Sequence, residues 1–295
     1  MWWYLDALSD DGSRGITLIA FVGSVFSPYY AWQRRRGRAV PEQHCAVNVA
    51  LYGKGGKRWA MTERGQNRLM RDAEHLNIGP SSLRWDGRSL HIEVNEITAP
   101  IPSRLRGSIT LTPRALTTDS YDLDALGRHQ WRPIAPAADV QVDLSSPDLH
   151  WRGRGYFDSN IGSEPLEAGF TYWDWSRAMM PNDDTVILYE SLRRDDSQGL
   201  LALRYDAQGR CTPIEAPAPQ ALPPGRIWRA PRGTRGDVHS VEIVETLEDT
   251  PFYTRSLLKQ RIHGEPALAF HESLSLTRFA HPIVQLMLPF RMPRF

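Results

Sequence analysis

"SLRWDGRSLHIEV", Ser82 to Val94, alternates apolar and polar residues on both sides of an Asp-Gly pair. A period of two puts every second side chain on one face of an extended strand. Gly87 tolerates positive φ, so Asp86-Gly87 is expected to form a two-residue hairpin turn between antiparallel strands. The pattern continues outward in both directions. Upstream lie "GITLIAFVGSVF" (Gly15 to Phe26) and "HCAVNVALYG" (His44 to Gly53). Downstream lie "RGSITLTP" (Arg106 to Pro113), "DVQVDL" (Asp139 to Leu144), "DTVILYESL" (Asp184 to Leu192), "GLLALRYDAQGR" (Gly199 to Arg210) and "HSVEIVETL" (His239 to Leu247). Asp11-Gly12, Lys54-Gly55-Gly56 and Gln208-Gly209 supply turns between them. Helical spacing is confined to Arg64–Leu76 and a weaker stretch around Trp175–Met180.

This pattern predicts an all-β chain of antiparallel barrels or sandwiches with few short helices. Roughly sixteen strands overfill one small barrel, so two successive β domains are expected. Alternation lapses over "SYDLDALGRHQW" (Ser120 to Trp131), which sets the domains at residues 1–125 and 126–295. The Pro-rich "TPIEAPAPQALPPGR" (Thr212 to Arg226) is expected to be a long loop inside the second domain.

The 295 residues suffice for such cores, and 35 basic residues against 34 acidic ones leave no nucleic-acid footprint. Only Lys54, Lys57 and Lys259 are lysines, an arginine bias better ascribed to genome composition than to recognition. Cys45 and Cys211 form no CxxC pair, and the scattered histidines contain no HExxH, so no metal site is expected. There is no Gly-x-Ser-x-Gly elbow, and "GKGGK" (Gly53 to Lys57) lacks phosphate-loop spacing. The N-terminus has no basic leader with an apolar run behind it, and Ile16–Phe26 is too short to span a bilayer as a helix. A cytoplasmic protein, its membrane contact peripheral, is therefore expected. "QRRRGR" (Gln33 to Arg38) reads as a solvated loop or a contact for anionic headgroups. "HPIVQLMLPFRMPRF" (His281 to Phe295) reads as a closing strand or a membrane-grazing edge.

Chemistry-bearing residues concentrate between Arg128 and Trp175. In "RHQWRP" (Arg128 to Pro133), His129 and Trp131 share a strand face. In "RGYFDSNIG" (Arg154 to Gly162), Tyr156, Asp158 and Asn160 do the same. "FTYWDW" (Phe170 to Trp175) follows with Tyr172, Trp173 and Trp175. Two strands of one barrel could bring imidazole, indole, phenol and carboxyl together in its lumen. The same spacing also fits aromatic core packed around one hydrogen-bonded aspartate.

The blocks "WWYLDALSDDG", "AFVGSVFSPYYAW", "HCAVNVALYG", "RWAMTERG", "HQWRPIAP", "GRGYFDSNIGSEPLEAGFTYWDWSRA" and "FRMPR" together resemble the bacterial carotenoid 1,2-hydratases, also called hydroxyneurosporene synthases. The Trp-Trp-Tyr start and the Gly-Tyr-x-Asp segment also resemble a wider superfamily of tandem lipocalin-like proteins that includes polyene pericyclases. The resemblance implies addition of water to the terminal C1=C2 bond of an acyclic carotenoid such as neurosporene or lycopene, without a cofactor. It implies His129, Trp131, Tyr156 and Asp158 as the acting residues. An isolated alkene is a very weak base, so forming the tertiary cation at C1 is the costly step. Asp158 is the expected acid, kept neutral by an apolar pocket. Trp131 and Tyr156 are expected to turn π faces to the cation, each contributing about 2 kcal/mol, or about thirtyfold in rate. A neutral His129 would activate the water or return the proton to Asp158. Tyr172, Trp173 and Trp175 are expected to hold the polyene, drawn from the membrane. A non-catalytic carotenoid or lipid carrier and a polyene cyclase remain the competing readings of the same fold.

Overall fold

A computed structural model describes residues 1–295, which form two compact units interleaved in sequence. The first comprises residues 1–120, 131–161 and 286–295; the second comprises residues 121–130 and 162–285. Both are built mainly from antiparallel strands.

The first stretch of chain supplies β1 (Trp2–Ser9), β2 (Arg14–Val22), β3 (Cys45–Gly53), β4 (Arg58–Arg64), β5 (Leu69–Arg71) and β6 (His75–Ile78). β7 (Ser81–Trp85), β8 (Leu90–Ile97), β9 (Arg104–Pro113), β10 (Tyr121–Asp122), β11 (His129–Ser146) and β12 (Asp148–Gly162) follow. In the first unit the strand order is β4-β3-β2-β1-β12-β11-β9-β8-β7-β6-β5, so the chain's first strand pairs with its twelfth. The sheet curls until β4 meets the end of β8, where Ala60 bridges Thr98 and the Ala99 amide donates to the Trp59 carbonyl. That nearly closed barrel wraps a core of Leu5, Leu18, Val47, Ile92, Ile109 and Val142, all buried.

An ion pair holds the closure. Arg64 on β4 meets Glu96 on β8 through two bonds of 3.1 and 2.7 Å, and Ser81 donates to the same carboxylate at 2.7 Å. Burial pushes the Glu96 carboxyl up, and the Arg64 guanidinium opposes that shift.

The second unit contains β13 (Phe170–Met179), β14 (Thr185–Arg193), β15 (Gln198–Tyr205), β16 (Cys211–Pro213), β17 (Pro219–Leu222), β18 (Arg232–Arg235), β19 (Glu242–Asp249), β20 (Tyr253–Ile262) and β21 (Glu265–Ser275). Its main sheet runs β16-β15-β14-β13-β21-β20-β19, with β17 and β18 as a separate ribbon. Ala178, Val186, Leu188, Leu258 and Ala269 form its core.

Several sequence expectations need correction. Arg64–Leu76 is no helix: β4 ends at Arg64, a single 3-10 turn covers Gln66–Arg68, and β5 and β6 follow. Asp72 enforces the reversal between them by accepting the Glu74 and His75 amides, each at 2.8 Å. Trp175–Met180 falls largely within β13, where alternation outweighs helical spacing. Asp86-Gly87 sits in a four-residue loop, because Trp85 pairs with Leu90 and Asp86 accepts the Arg88 and Ser89 amides. Thr212–Arg226 is not one long loop, since β17 and the end of β16 lie within it. Gln33–Arg38 is partly helical, because α1 (Pro28–Arg35) is capped by the Ser27 hydroxyl. The expected closing strand in the tail is replaced by a helix over Pro282–Met287 and a 3-10 turn over Leu288–Phe290. Cys45 and Cys211 are both free thiols.

Replacing Arg64 by Met leaves Glu96 buried without its counter-charge, a class of change that costs about 3–5 kcal/mol. Urea denaturation of Arg64→Met is expected to show that loss; a change below about 1 kcal/mol, the scale of a surface pair, refutes the closing role.

Candidate active site

β1 and β12 run antiparallel with Tyr4 opposite Asp158 and Asp6 opposite Tyr156. Alternation then sorts their side chains. Trp3, Leu5 and Phe157 face the lumen and its core. Tyr4, Asp6, Tyr156 and Asp158 lie on the opposite face. The lumen expected to hold the acid holds its neighbour Phe157 instead, because the polar positions of both strands fall on the other phase of the repeat.

That opposite face is not solvent. Trp131 and Tyr156 have no exposed surface, and Asp158 retains 3%. The Trp131 indole N–H donates to Asp158 Oδ2 at 2.8 Å, and the Tyr156 hydroxyl donates to the same oxygen at 2.8 Å. Tyr4 packs edge-on against Tyr156, with ring centroids 6.3 Å apart. Trp131 and Tyr156 therefore present their polar edges to the carboxyl, a contact the sequence reading, with its π faces, did not anticipate. Asn160, one alternation further along β12, is also buried, and its Oδ1 accepts no hydrogen bond from the protein.

His129 belongs to the second unit. Asp124 shapes the turn ahead of it, accepting the amides of Leu126, Arg128 and His129 at 2.9, 3.3 and 2.8 Å. The imidazole packs edge-on against Phe170 at 5.0 Å, and its Nε2 lies 3.5 Å from Glu164 Oε1. Glu164 also receives the Arg128 guanidinium at 3.0 Å. Gly162 and Gly169 make room for the ring: a Cβ at Gly162 would sit 2.7 Å from Nδ1, and one at Gly169 would sit 3.3 Å from Nε2. Burial pushes the His129 pKa down, opposed by the charges of Glu164 and Asp124.

Tyr172, Trp173 and Trp175 do not share a face. Trp173 and Trp175 point to one side of β13, with Trp173 against Phe170 and Tyr189. Tyr172 points to the other, where its hydroxyl donates to Asp174 Oδ1 at 2.9 Å and Ser273 donates to the same atom. Burial pushes the Asp174 pKa up to about 7, against the effect of those two donors. His271, fully buried nearby, is pushed down to about 4 and bonds the Gly233 carbonyl at 2.6 Å. No three His, Cys, Asp or Glu side chains are grouped to hold a metal ion.

Sequence reasoning missed Tyr4, Asp6, Asp124, Glu164 and Asp174. Tyr4 and Asp6 carried a legible signal, being two apart in "WWYLDAL". Glu164 carried none, since a bend after β12 delivers it.

The family model for "Carotenoid hydratase CrtC" matches residues 18–295. An acyclic carotenoid 1,2-hydratase from Thiocapsa roseopersicina is 58% identical over 295 residues, covering all of this chain and 73% of that protein. One from Rubrivivax gelatinosus is 48% identical over 297 residues, with the same coverage of both chains. Among solved structures, kievitone hydratase from Nectria haematococca superposes with a TM-score of 0.59 at 8% identity, covering 95% of this chain and 90% of that one. At that identity the likeness is one of fold.

Burial keeps His129 neutral at pH 7, so long-range ¹H–¹⁵N NMR is expected to show a neutral tautomer. Glu164 favours the protonated form, so Glu164→Gln should move the titration midpoint still lower. A midpoint that rises in that variant overturns the assignment.

Proposed function

Because the chain belongs to the carotenoid hydratase CrtC family, we propose that it adds water across the terminal C1=C2 bond of an acyclic carotenoid such as neurosporene or lycopene. The product is a tertiary alcohol, and the reaction is that of a hydro-lyase. The observation that carries the mechanism is the pair of donors on one oxygen of Asp158.

A carboxyl oxygen offers two lone-pair positions, and on Oδ2 the Trp131 and Tyr156 donors take both. The acid's proton therefore belongs on Oδ1. Delivered to C2, it leaves the tertiary cation at C1 and a negative charge on Asp158. The two donors then become charge-assisted and stabilise that carboxylate as it forms. The carboxylate in turn lies close to the cation it has made, in surroundings where attraction is poorly screened. Water bonds to C1 and loses a proton, and return of a proton to Asp158 closes the balance. Asn160 Oδ1, a buried acceptor, suits the task of orienting that water. His129, kept neutral by burial, has the protonation state a general base needs. Trp173 and Trp175 are buried aromatic packing of the second unit, and Tyr172 is engaged by Asp174. We also read both units as lipocalin-like barrels in tandem.

The substrate resides in membranes, and no helix here is long and apolar enough to cross one. The first unit carries a candidate docking face. Arg35, Arg36 and Arg38 are exposed beside Trp32, with the Arg36 guanidinium 3.6 Å from its ring centroid. Leu286, Phe290 and Phe295 of the tail are exposed as well, and Arg294 ties that tail to Glu63 beside Tyr29. Basic residues with aromatic and aliphatic neighbours suit the surface of an anionic bilayer.

Three outcomes are expected. Asp158→Asn keeps the fold and forms no 1-hydroxy carotenoid, whereas Asp174→Asn retains turnover; in deuterated water the native protein places deuterium at C2. The reverse pattern for the two aspartates transfers the acid's role to Asp174. Tyr156→Phe and Trp131→Phe each remove one hydrogen bond to a developing charge, about 1.5–3 kcal/mol or about 10–100-fold in kcat. Values within twofold of native contradict the donor role. In vesicle sedimentation, the double variant Arg35→Glu and Arg36→Glu should release the protein from phosphatidylglycerol vesicles, and undiminished binding removes this face from docking.

A further inference from the structure

The lumen of the first unit contains a cavity of about 660 Å³. Its walls come from Trp3, Leu83, Trp85, Leu111, Ile134 and Phe157. The volume lies within the about 300–1,000 Å³ usual for small-molecule sites. Trp3 and Phe157 on its wall alternate with Tyr4, Tyr156 and Asp158 on the far side of the same strands. The cavity and the acid are therefore on opposite faces of one sheet, and a molecule in the lumen does not meet the carboxyl through it.

We propose that this lumen is a second ligand site, distinct from the acid, which takes a single uncharged linear hydrocarbon chain of the isoprenoid or alkyl type. Apolar walls offer ordered water too few partners. Left unfilled, such apolar walls would lack packing partners. A hydrocarbon satisfies both constraints. The rim argues for an uncharged occupant. Arg71, Asp72, Glu74 and His75 reach the lining from the β5–β6 turn, and three of the four are paired locally. Arg71 pairs with Glu42 at 3.0 Å, and His75 pairs with Asp72 at 3.0 Å. Met1 is also on the lining, its amino group donating to the Val22 carbonyl at 3.1 Å, and the other lining residues are apolar. Leu116, also on the lining, is 55% exposed and gives an entering chain an apolar threshold.

The proposal is independent of the hydratase reading, and the test separates the two. Diphenylhexatriene, an uncharged rod that fluoresces in apolar surroundings, is titrated into the full chain. One equivalent is expected to bind native protein and Asp158→Asn alike. Leu83→Trp and Leu111→Trp, which fill the lumen, should each weaken binding at least tenfold while retaining the native circular-dichroism spectrum. Binding that persists in both filled variants, or is lost in Asp158→Asn alone, overturns the site. Should neither filled variant fold, photolysis of native protein with a diazirine-bearing alkane decides the matter. Adducts on β7, β9 and β12 residues facing the lumen support the proposal, and adducts confined elsewhere reject it. Carotenoid turnover is measured separately, so a failed hydratase reading leaves this result standing.

Discussion

The pairing of β1 with β12 is the constraint that places Asp158 beside Tyr156 and Trp131. Eight consecutive residue pairs, from Trp2 with Asn160 to Ser9 with Gly153, fix which side chains meet. A slip of one residue would turn Asp158 into the lumen and Phe157 out of it, because side chains alternate strictly. The close approach of the two backbones requires glycine on β12. At Gly153 a Cβ would lie far inside van der Waals contact with the Leu8 carbonyl oxygen. At Gly155 it would lie 2.5 Å from Val140 Cγ2 and 2.8 Å from the Asp6 carbonyl oxygen. The glycines of "RGRGYFD" thus protect the register that places the acid.

That register was half legible in the sequence. Tyr156 and Asp158 share a face because they are two apart in a strand, and the structure keeps them together. Trp131 joins them from β11 through its bond to Asp158, a meeting of two strands that spacing within either motif does not specify. Which face they occupy was not legible. Periodicity identifies an inside when one face is apolar and the other wet, but β1 buries both, with Leu5 and Ala7 on one side and Tyr4 and Asp6 on the other. A polar but buried face looks like a solvent face in the sequence. The long-range order was hidden for a related reason: nothing local in "WWYLDALS" indicates a partner about 150 residues away.

The misreadings share a physical origin. Charged residues in Arg64–Leu76 fall at helical intervals, yet the Asp72 side chain captures two amides and reverses the chain. Side-chain capture of backbone amides competes with helix formation, and composition alone underweights it. Asp86 does the same in the β7–β8 loop and lengthens the turn by two residues. Asp124 does it a third time, and there the reversal sets the backbone of His129. In each case a short acid decides where the chain turns.

Two carboxyl environments now contrast in a way that bears on acid chemistry. Asp174 accepts from Tyr172 and Ser273 on a single oxygen, and burial still carries its pKa to about 7. Asp158 likewise accepts from a tyrosine two residues away on its own strand, and from an indole in place of a hydroxyl. An indole N–H can only donate, whereas a serine hydroxyl can reverse and accept. The Trp131 bond therefore holds one lone pair of Oδ2 in every protonation state, and with Tyr156 donating to the other, a proton on this carboxyl falls to Oδ1. At Asp174 both donors are hydroxyls that can reverse, so neither oxygen is reserved for the proton. In the proposed reaction a fixed address for the proton favours delivery to one carbon, because misplacement by about 1 Å costs on the order of a hundredfold in rate.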